Sequence, residues 1–295
     1  MEHKRKRLLM LHHLPSISRS ILRRMLAHDK TLRKIFTLNP QQLSELLSIP
    51  FDRALHIYKE IHDDKIHSTN ERQLRQIKTI TIIDEKYPTL LKQIADPPLV
   101  LYCQGNMKLF SQIPSISVIG TRSPSREGPQ KLHYIITPLI EQNWTIVSGL
   151  AYGIDRLAHE LTLRYKGDTI AVLGSGFNHI YPKEHKGLYE RIATEGLVVT
   201  EYPPNQRARK YHFPERNRII SGLTKATLVI EAEERSGTNI TVDFALEQGR
   251  EVYAVPGSIL HSKAKGCHRM IQEGAKLVME AKDILEDYEQ FTFLL

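Results

Sequence analysis

A dense group of cationic and amide side chains stands in the second half of the sequence. The segment HFPERNRIISGL, His212 to Leu223, places Arg216, Asn217 and Arg218 between an aromatic-proline pair and an apolar run. Further cations and rings lie in or just before it: Arg207, Arg209, Lys210, Tyr211 and Phe213. Cations follow phosphates while rings stack on unpaired bases, so this composition favours single-stranded nucleic acid. The residues alone also fit a solvated basic loop that Phe213 anchors to the core.

Four glycine-containing segments each follow a predicted strand. They read VIGTRSPSREG, VSGLAYGIDRLAH, VLGSGFNHIYP and IEAEERSGTNIT. Glycine lets a ligand approach the backbone closely, and free amides at a helix start favour an anion. Because ligands of open α/β sheets bind outside the carboxyl ends of the strands, the four loops predict an anion-binding crevice. For any one loop, a tight strand-to-helix turn explains the glycine equally well.

Nucleotide cofactors and metals are not expected. None of the loops reads G-x-G-x-x-G or G-x-x-x-x-G-K-[ST], and GSGFNH lacks the third glycine, so ATP hydrolysis is not supported. The two cysteines, Cys103 and Cys267, have no metal-ligand spacing and are too few for a disulfide framework. We therefore expect a reducing compartment and no structural zinc.

Two groups of residues could assemble a catalytic acid and base. Asp155 and His159 lie four positions apart on a predicted helix, and Glu231, Glu233 and Glu234 follow a strand. A helix-surface pair and a structural histidine are the alternative interpretation. Since neither G-x-S-x-G nor H-E-x-x-H occurs, we expect a binding protein and not an enzyme.

The elements that position these residues fall into two regions. Residues 1–70 show helical spacing and predict a small all-helical domain, with Ser18, Asn39 and Pro50 as helix starts. LPSIS and LSIPFDRALHIY are faintly similar to helix-hairpin-helix elements without their glycines, so protein docking or a structural role is at least as plausible as DNA contact. The polar segment HSTNERQLRQIK predicts a linker to the rest.

Residues 71–295 alternate short apolar runs with helical patterns. Strands are predicted at 79–83, 99–103, 116–119, 145–147, 169–173, 197–200, 227–232 and 252–255. Helices are predicted within 127–141, 154–165, 184–194, 239–248 and 268–273. This alternation predicts an α/β fold with a mostly parallel, doubly wound sheet.

Composition and charge agree with a globular, nucleic-acid-binding chain. The chain has 295 residues, 41% hydrophobic and 25% charged, and a formal net charge of +8 that attracts phosphates, acidic lipids or acidic proteins. A basic start is followed by only a short apolar run, Leu8 to Leu11, and no later run has bilayer length. We expect a cytoplasmic protein without membrane insertion.

Six motifs in order closely resemble the DNA-processing protein A family, DprA or Smf. They are ISVIGTR, IVSGLAYGIDRLAH, IAVLGSGFNHIYP, FPERNRIISGL, LVIEAEERSGTNIT and EQGREVYAVPG, and the likeness runs from about Ile80 to about Asp287. The resemblance implies an extended Rossmann-like domain that binds single-stranded DNA and forms homodimers. It also implies a mediator that protects incoming transforming DNA and loads the RecA recombinase in exchange with single-stranded-DNA-binding protein.

Carried over by motif, the family's DNA pocket falls on residues of four segments of this chain. These are Gly120, Thr121, Arg122, Ser148, Gly149, Lys210, Phe213, Arg216, Asn217, Arg218, Ser236 and Gly237. The sequence departs from the family pattern at Thr238, Asn239 and His268. We expect no counterpart of the family's optional C-terminal winged-helix domain after YEQFTFLL.

Two other functions are considered. Nucleoside-monophosphate-processing enzymes of the lysine-decarboxylase-like group have a related fold, but they need P-G-G-x-G-T-x-x-E, and ERSGTNIT lacks its paired glycines and glutamate. A protein-interaction scaffold with an incidental basic surface would have little affinity for DNA.

Overall fold

The computed structural model describes residues 2–292 and divides into two compact units. The helical unit comprises the chain up to Lys86 together with Pro98–Tyr102, and the sheet unit comprises Tyr87–Pro97 and the chain from Cys103 onward. The sequence-based division into 1–70 and 71–295 stays a prediction. The last three residues of YEQFTFLL, at which the winged-helix expectation was made, lie outside the described residues.

Five helices form most of the helical unit. They are α1 (Glu2–His12), α2 (Arg19–His28), α3 (Pro40–Leu47), α4 (Phe51–Ile61) and α5 (Asp64–Arg75), followed by strand β1 (Lys78–Thr81) and the start of β2 (Val100–Gly105). The helix starts at Ser18, Asn39 and Pro50 are confirmed. Ser18 accepts from the amide of Ile21, and Asn39 forms a reciprocal capping box with Gln42.

The predicted polar linker is wrong, because most of it is helix α5. Asp63 caps this helix by accepting from the amides of Lys65 and Ile66, and Asn70 is buried within it. A polar sequence can form a helix when its first turn is capped and one face packs against the core.

The sheet unit alternates strands and helices along the chain. Its elements are α6 (Thr89–Lys92), β3 (Ser115–Ile119), α7 (Gly128–Glu141), β4 (Thr145–Ser148), α8 (Ile154–Arg164), β5 (Thr169–Leu173), α9 (Lys186–Glu195), β6 (Leu197–Thr200), α10 (His212–Gly222), β7 (Ala226–Val229), α11 (Gly237–Glu247), β8 (Glu251–Ala254), α12 (Ser262–Gln272), β9 (Lys276–Leu277) and α13 (Ala281–Thr292). The order β6-β5-β4-β3-β7-β8-β9 is parallel throughout. The prediction of a mostly parallel, doubly wound sheet is confirmed.

The order of these strands creates a topological switch point. From β3 the chain builds β4, β5 and β6 on one side, and it then returns to place β7 on the other side of β3. Loops leaving β3 and β7 therefore diverge, which opens a crevice outside their carboxyl ends. Behind the crevice, α7, α8 and α13 pack on β3 and β7 through a buried apolar cluster.

Three helices of the sheet unit, α6, α10 and α13, and the strand β9 were not predicted. Helix α10 was interpreted as part of a basic loop, because Pro214 and the charged residues mask the buried Ile219 and Ile220. Strand β9 has two exposed residues and helix α13 follows it, so neither had a strong apolar signal around residue 276. None of the described helices has the length and apolar character needed to cross a bilayer.

Candidate nucleic-acid interface

A cavity of about 430 Å³ lies at the switch point. Four segments line it: the loop after β3, the residues between β4 and the first turn of α8, one side of α10, and the loop that leads from β7 into α11. The predicted site residues that line it are Gly120, Thr121, Arg122, Phe213, Arg216, Asn217, Ser236 and Gly237. We call this cavity, with the shallow pocket beside Phe213 described below, the crevice.

The loop after β3 is held by backbone contacts that position Arg122. The amide of Thr121 donates to the carbonyl of Glu231 (2.8 Å), and the Thr121 carbonyl accepts from the amide of Ile154 (3.2 Å). Gly153 has φ +75°, and a Cβ there would stand 2.2 Å from the Thr121 oxygen, so this close approach requires glycine. Arg122 is exposed, and its guanidinium has no carboxylate partner within residues 2–292.

Glu231 is a structural residue in this structure. Its buried carboxylate accepts from the Ser125 amide (2.8 Å) and the Ser125 hydroxyl (2.5 Å), and Lys131 lies 3.7 Å away. These contacts fix the loop between β3 and α7. The sequence-based suggestion that Glu231 acts with Glu233 and Glu234 as an acid and base is not supported, because Glu231 is held by Ser125 outside the cavity lining while the exposed Glu233 lines the cavity.

Arg216 forms the cationic floor of the crevice. It is buried, its Nη1 donates to the carbonyls of Gly149 and Val172, and its Nε donates to Asn217 Oδ1 (3.2 Å). Burial lowers the pKa of Arg216 to about 10, although the nearby Asp155 opposes the shift. The guanidinium therefore stays charged at neutral pH and contributes positive potential under the cavity.

Gly149 makes room for this buried guanidinium. A Cβ at Gly149 would stand 2.3 Å from Arg216 Nη1. The glycine predicted as a phosphate cradle is thus needed for packing of Arg216, and it lines the shallow pocket but not the main cavity.

Arg218 does not lie in the crevice with Arg216 and Asn217, although all three were assigned to the DNA pocket. Its Nη2 donates to both oxygens of buried Glu201 (2.9 and 2.7 Å), and its Nε donates to Asp96 (3.2 Å). Burial lowers the pKa of Arg218, but Glu201 and Asp96 outweigh burial and raise it. Arg218 lies outside the crevice, so its two carboxylate partners, and not a nucleic acid, neutralise it in this structure.

Ser148 is likewise used inside the fold. Its fully buried hydroxyl donates to the carbonyl of Val118 (2.7 Å), which ties β4 to β3. Its side chain is therefore not presented to the cavity.

Phe213 separates the main cavity from the shallow pocket. The ring is half-buried, a Cβ on Gly174 would stand 3.0 Å from it, and the ring centroid of Tyr181 lies 5.2 Å away. The shallow pocket also includes Arg122, Gly149 and Arg216. The ring thus packs partly on the protein and also borders both cavities.

Lys210 lies in the exposed segment just before α10 and lines neither cavity. Its ammonium group pairs with no carboxylate of the described chain. Lys210 can therefore contact a phosphate only where a bound nucleic-acid strand leaves the crevice.

The loop into α11 supplies a cation that the sequence analysis missed. Arg235 is exposed and lines the main cavity beside Ser236 and Gly237. Arg235 lies in the EERSG segment, and its position just after the end of a strand could have identified it as a site residue. A Cβ at Gly237 would meet nothing within 4 Å, which leaves the start of α11 open to a ligand.

Of the three departures from the family pattern, Asn239 holds the loop into α11. Asn239 donates to the carbonyl of Glu234 (2.9 Å) and accepts from Ser236 (3.2 Å). Thr238 is buried and lines the cavity, and His268 Nε2 lies 3.0 Å from the carbonyl of Gly257.

Asp155 and His159 do not form a catalytic pair. Asp155 accepts from the amide of Gly149 (3.2 Å), and burial raises its pKa against the opposing charge of Arg216. His159 Nδ1 contacts the hydroxyl of Thr169 (2.7 Å), and burial lowers the pKa of the ring to about 3. The structural interpretation of this histidine is the better one. Within residues 2–292, no group of His, Cys, Asp and Glu could hold a metal ion.

Comparison with known proteins gives consistent matches over the sheet unit and beyond. The family described as DNA recombination-mediator protein A matches residues 78–289. DNA processing protein DprA of Bacillus subtilis is 45% identical over 211 residues, which are 72% of this chain and 71% of that protein.

Two solved structures are also similar. The X-ray structure of DprA from Streptococcus pneumoniae has a TM-score of 0.81 at 36% identity and covers 95% of both chains. A structure that reports the single-stranded DNA binding mode of DNA processing protein A from Helicobacter pylori has a TM-score of 0.66 at 26% identity, over 73% of this chain and 96% of that one.

Proposed function

This chain belongs to the DNA recombination-mediator protein A family, and we propose that it binds single-stranded DNA in the crevice. The proposal is supported by the H. pylori relative, whose structure concerns single-stranded DNA binding. In the wider process, we propose that the chain protects incoming strands during natural transformation and loads the RecA recombinase onto them. Exchange with single-stranded-DNA-binding protein and a cytoplasmic location belong to the same proposal.

The observation that carries the proposal is the arrangement of charge around one ring. Arg122 and Arg235 are exposed at the rim, Arg216 forms the floor, and Phe213 borders both cavities. The cations can neutralise successive phosphates while a base stacks on the ring. Because both faces of a base are covered inside a duplex, this arrangement suits an unpaired strand.

We also propose a homodimer formed through the sheet unit. The structure supports it with an edge strand, β9, whose Leu277 is exposed, and with the exposed side chains of Met279 and Leu246. An unpaired edge beside apolar side chains is a common place for association with a second copy.

The enzyme alternative is not favoured. A nucleoside-monophosphate-processing site needs a carboxylate that is free to act on its substrate. Asp155 lines the crevice but is buried and bound by the Gly149 amide, and Glu231, outside the lining, is bound by Ser125 and Lys131. Glu233 lines the main cavity as an exposed side chain, without the paired glycines that such an enzyme places beside its glutamate. We propose a binding mediator without catalytic turnover.

Salt-dependent binding of a labelled mixed-sequence oligonucleotide tests the proposal. Replacing Arg122 or Lys210 with alanine should each reduce the slope of log affinity against log salt by roughly 0.7, the value for one phosphate contact of a single strand. Lys108→Ala is the matched control, because this exposed lysine precedes β3 at the opposite end of the sheet. The crevice would be rejected as the site if the parent protein did not bind the oligonucleotide at low salt. Equal slopes in the parent and the three variants would reject it as well.

A further inference from the structure

The formal positive charge of the chain is concentrated in its first 86 residues. This segment has 17 Lys and Arg against 10 Asp and Glu, whereas residues 87–295 have 24 against 23. The net charges are therefore +7 and +1. The unit that holds the crevice is almost neutral as a whole, and the helical unit carries the excess that attracts polyanions.

From this imbalance and the geometry below, we propose that the helical unit has a second nucleic-acid-binding surface, which contacts phosphates without reading strand type or sequence. The choice of nucleic acid as the polyanion rests on the proposed function, but the surface itself does not use the crevice. We call it the basic face and define it by Lys30, Arg33, Lys34, Arg53 and Lys59.

Several other cations of the helical unit are already neutralised. Arg5 pairs with Asp84 (3.0 Å), and Lys6 pairs with Glu71 (2.6 Å). Arg75 also lies near Glu71 (4.0 Å). These residues are therefore not part of the basic face.

The loop after α2 presents three cations on a fixed backbone. Asp29 accepts from the amides of Thr31 (2.8 Å), Arg33 (2.7 Å) and Lys34 (2.9 Å), so its carboxylate holds the loop from within. Leu32 and Ile35 are buried and anchor the loop to the core. The side chains of Lys30, Arg33 and Lys34 are exposed and pair with no carboxylate in the described chain.

Helix α4 carries the other two cations of the basic face. His62, which follows the helix, contacts the carbonyl of Phe36 (3.2 Å) and so joins the end of α4 to the loop region. Arg53 and Lys59 are exposed on α4, while its Ala54, Ile57 and Ile61 are buried.

The acidic residues of α4 and the next cap only partly offset this charge. Glu60 accepts from the amide and the hydroxyl of Ser16 (3.1 and 3.0 Å), and Asp63 caps α5. Asp52 is exposed at the start of α4. The face therefore keeps a net positive charge.

The side chains of the helical unit favour nucleic acid over a lipid surface. Among its described residues, Phe51 is the one large hydrophobic side chain that is more than a third exposed (48%). Interfacial membrane binding needs a broad apolar face beside the cations, and this unit buries its own. With little aromatic surface to stack on bases, the basic face should contact phosphates of single strands and duplexes alike.

The test measures salt-dependent binding of single-stranded and duplex oligonucleotides to the full chain. The variant Lys30→Gln/Arg33→Gln/Lys34→Gln should reduce the salt slope by about 2 for single strands and about 2.7 for duplexes, given ~0.7 and ~0.9 per phosphate contact. The control Lys108→Gln/Arg164→Gln/Lys166→Gln removes the same charge from exposed positions that precede strands β3 and β5. It should leave both slopes unchanged.

The salt slopes measured with the single-stranded and the duplex oligonucleotide decide the proposal. Unchanged slopes in the loop variant, or an equal fall in the control, would overturn it. The proposal would also be overturned if the loop variant bound DNA like the parent but lost binding to anionic phospholipid vesicles. If the loop variant unfolds, Arg53→Gln/Lys59→Gln replaces it, with a reduction of about 1.4 expected for single strands. A failure confined to this surface leaves the Arg122 effect in place, whereas loss of the Arg122 effect with the loop effect retained rejects only the crevice.

Discussion

Replacing Arg218 with alanine is expected to lower the free energy of unfolding by about 3–5 kcal/mol, the cost of leaving a buried charge without its partner. Glu201 is buried, and both of its oxygens accept from Arg218 Nη2. Asp96, the second partner, is about a third exposed and can be solvated again after the change. The loss should therefore come mainly from Glu201.

Urea denaturation of the variant and of Arg218→Met/Glu201→Leu checks this prediction. Removing both charges should recover most of the lost stability, because apolar side chains of similar volume often replace a buried ion pair at little cost. If Arg218→Ala instead unfolds like the parent and binds single-stranded DNA much more weakly, Arg218 contacts DNA and our structural assignment is wrong.

Replacing Phe213 with alanine is expected to weaken single-stranded DNA binding by about 1–3 kcal/mol, roughly 5- to 150-fold, while the salt slope stays nearly unchanged. A stacking contact contributes no counterion release, so its loss changes affinity at every salt concentration alike. Titration of a labelled oligonucleotide at several salt concentrations measures both quantities.

Phe213→Leu is the matched control for the packing of this ring. Leucine keeps apolar contact with Gly174 and Tyr181 but offers no aromatic face to a base. The account therefore expects weak binding and near-parent thermal stability for this variant. A leucine variant that binds like the parent would show that Phe213 only anchors α10 to the core.

The sequence was sufficient to predict all strands of the sheet except β9, because the central strands are buried on both faces. Strands β5 and β6 lie at their predicted bounds, since runs such as TIAVL and LVVT are apolar almost throughout. The position of the crevice was predictable from the same alternation of strands and loops. Glycines placed after strands gave Gly120 and Gly237, and the order of strands around β3 then brought their loops together.

The different roles of neighbouring arginines were not predictable from the sequence. Arg216 and Arg218 are two positions apart, yet one lies under the cavity and the other is held by Glu201 and Asp96, 17 and 122 positions earlier. Such long-range pairing leaves no local signal. The same reason explains Ser148, whose hydroxyl binds a carbonyl 30 positions away on the neighbouring strand.

Photo-cross-linking tests the central claim most directly, because it shows where an unpaired base lies. A short oligothymidylate of about six nucleotides, near the lower end of known site sizes, would carry 4-thiothymidine and be irradiated with the full chain. Mass spectrometry should find the cross-link on peptides that contain Phe213 or Tyr181, with a marked loss in Phe213→Leu. Cross-links that lie only outside the crevice, at equal yield in parent and variant, would contradict the account.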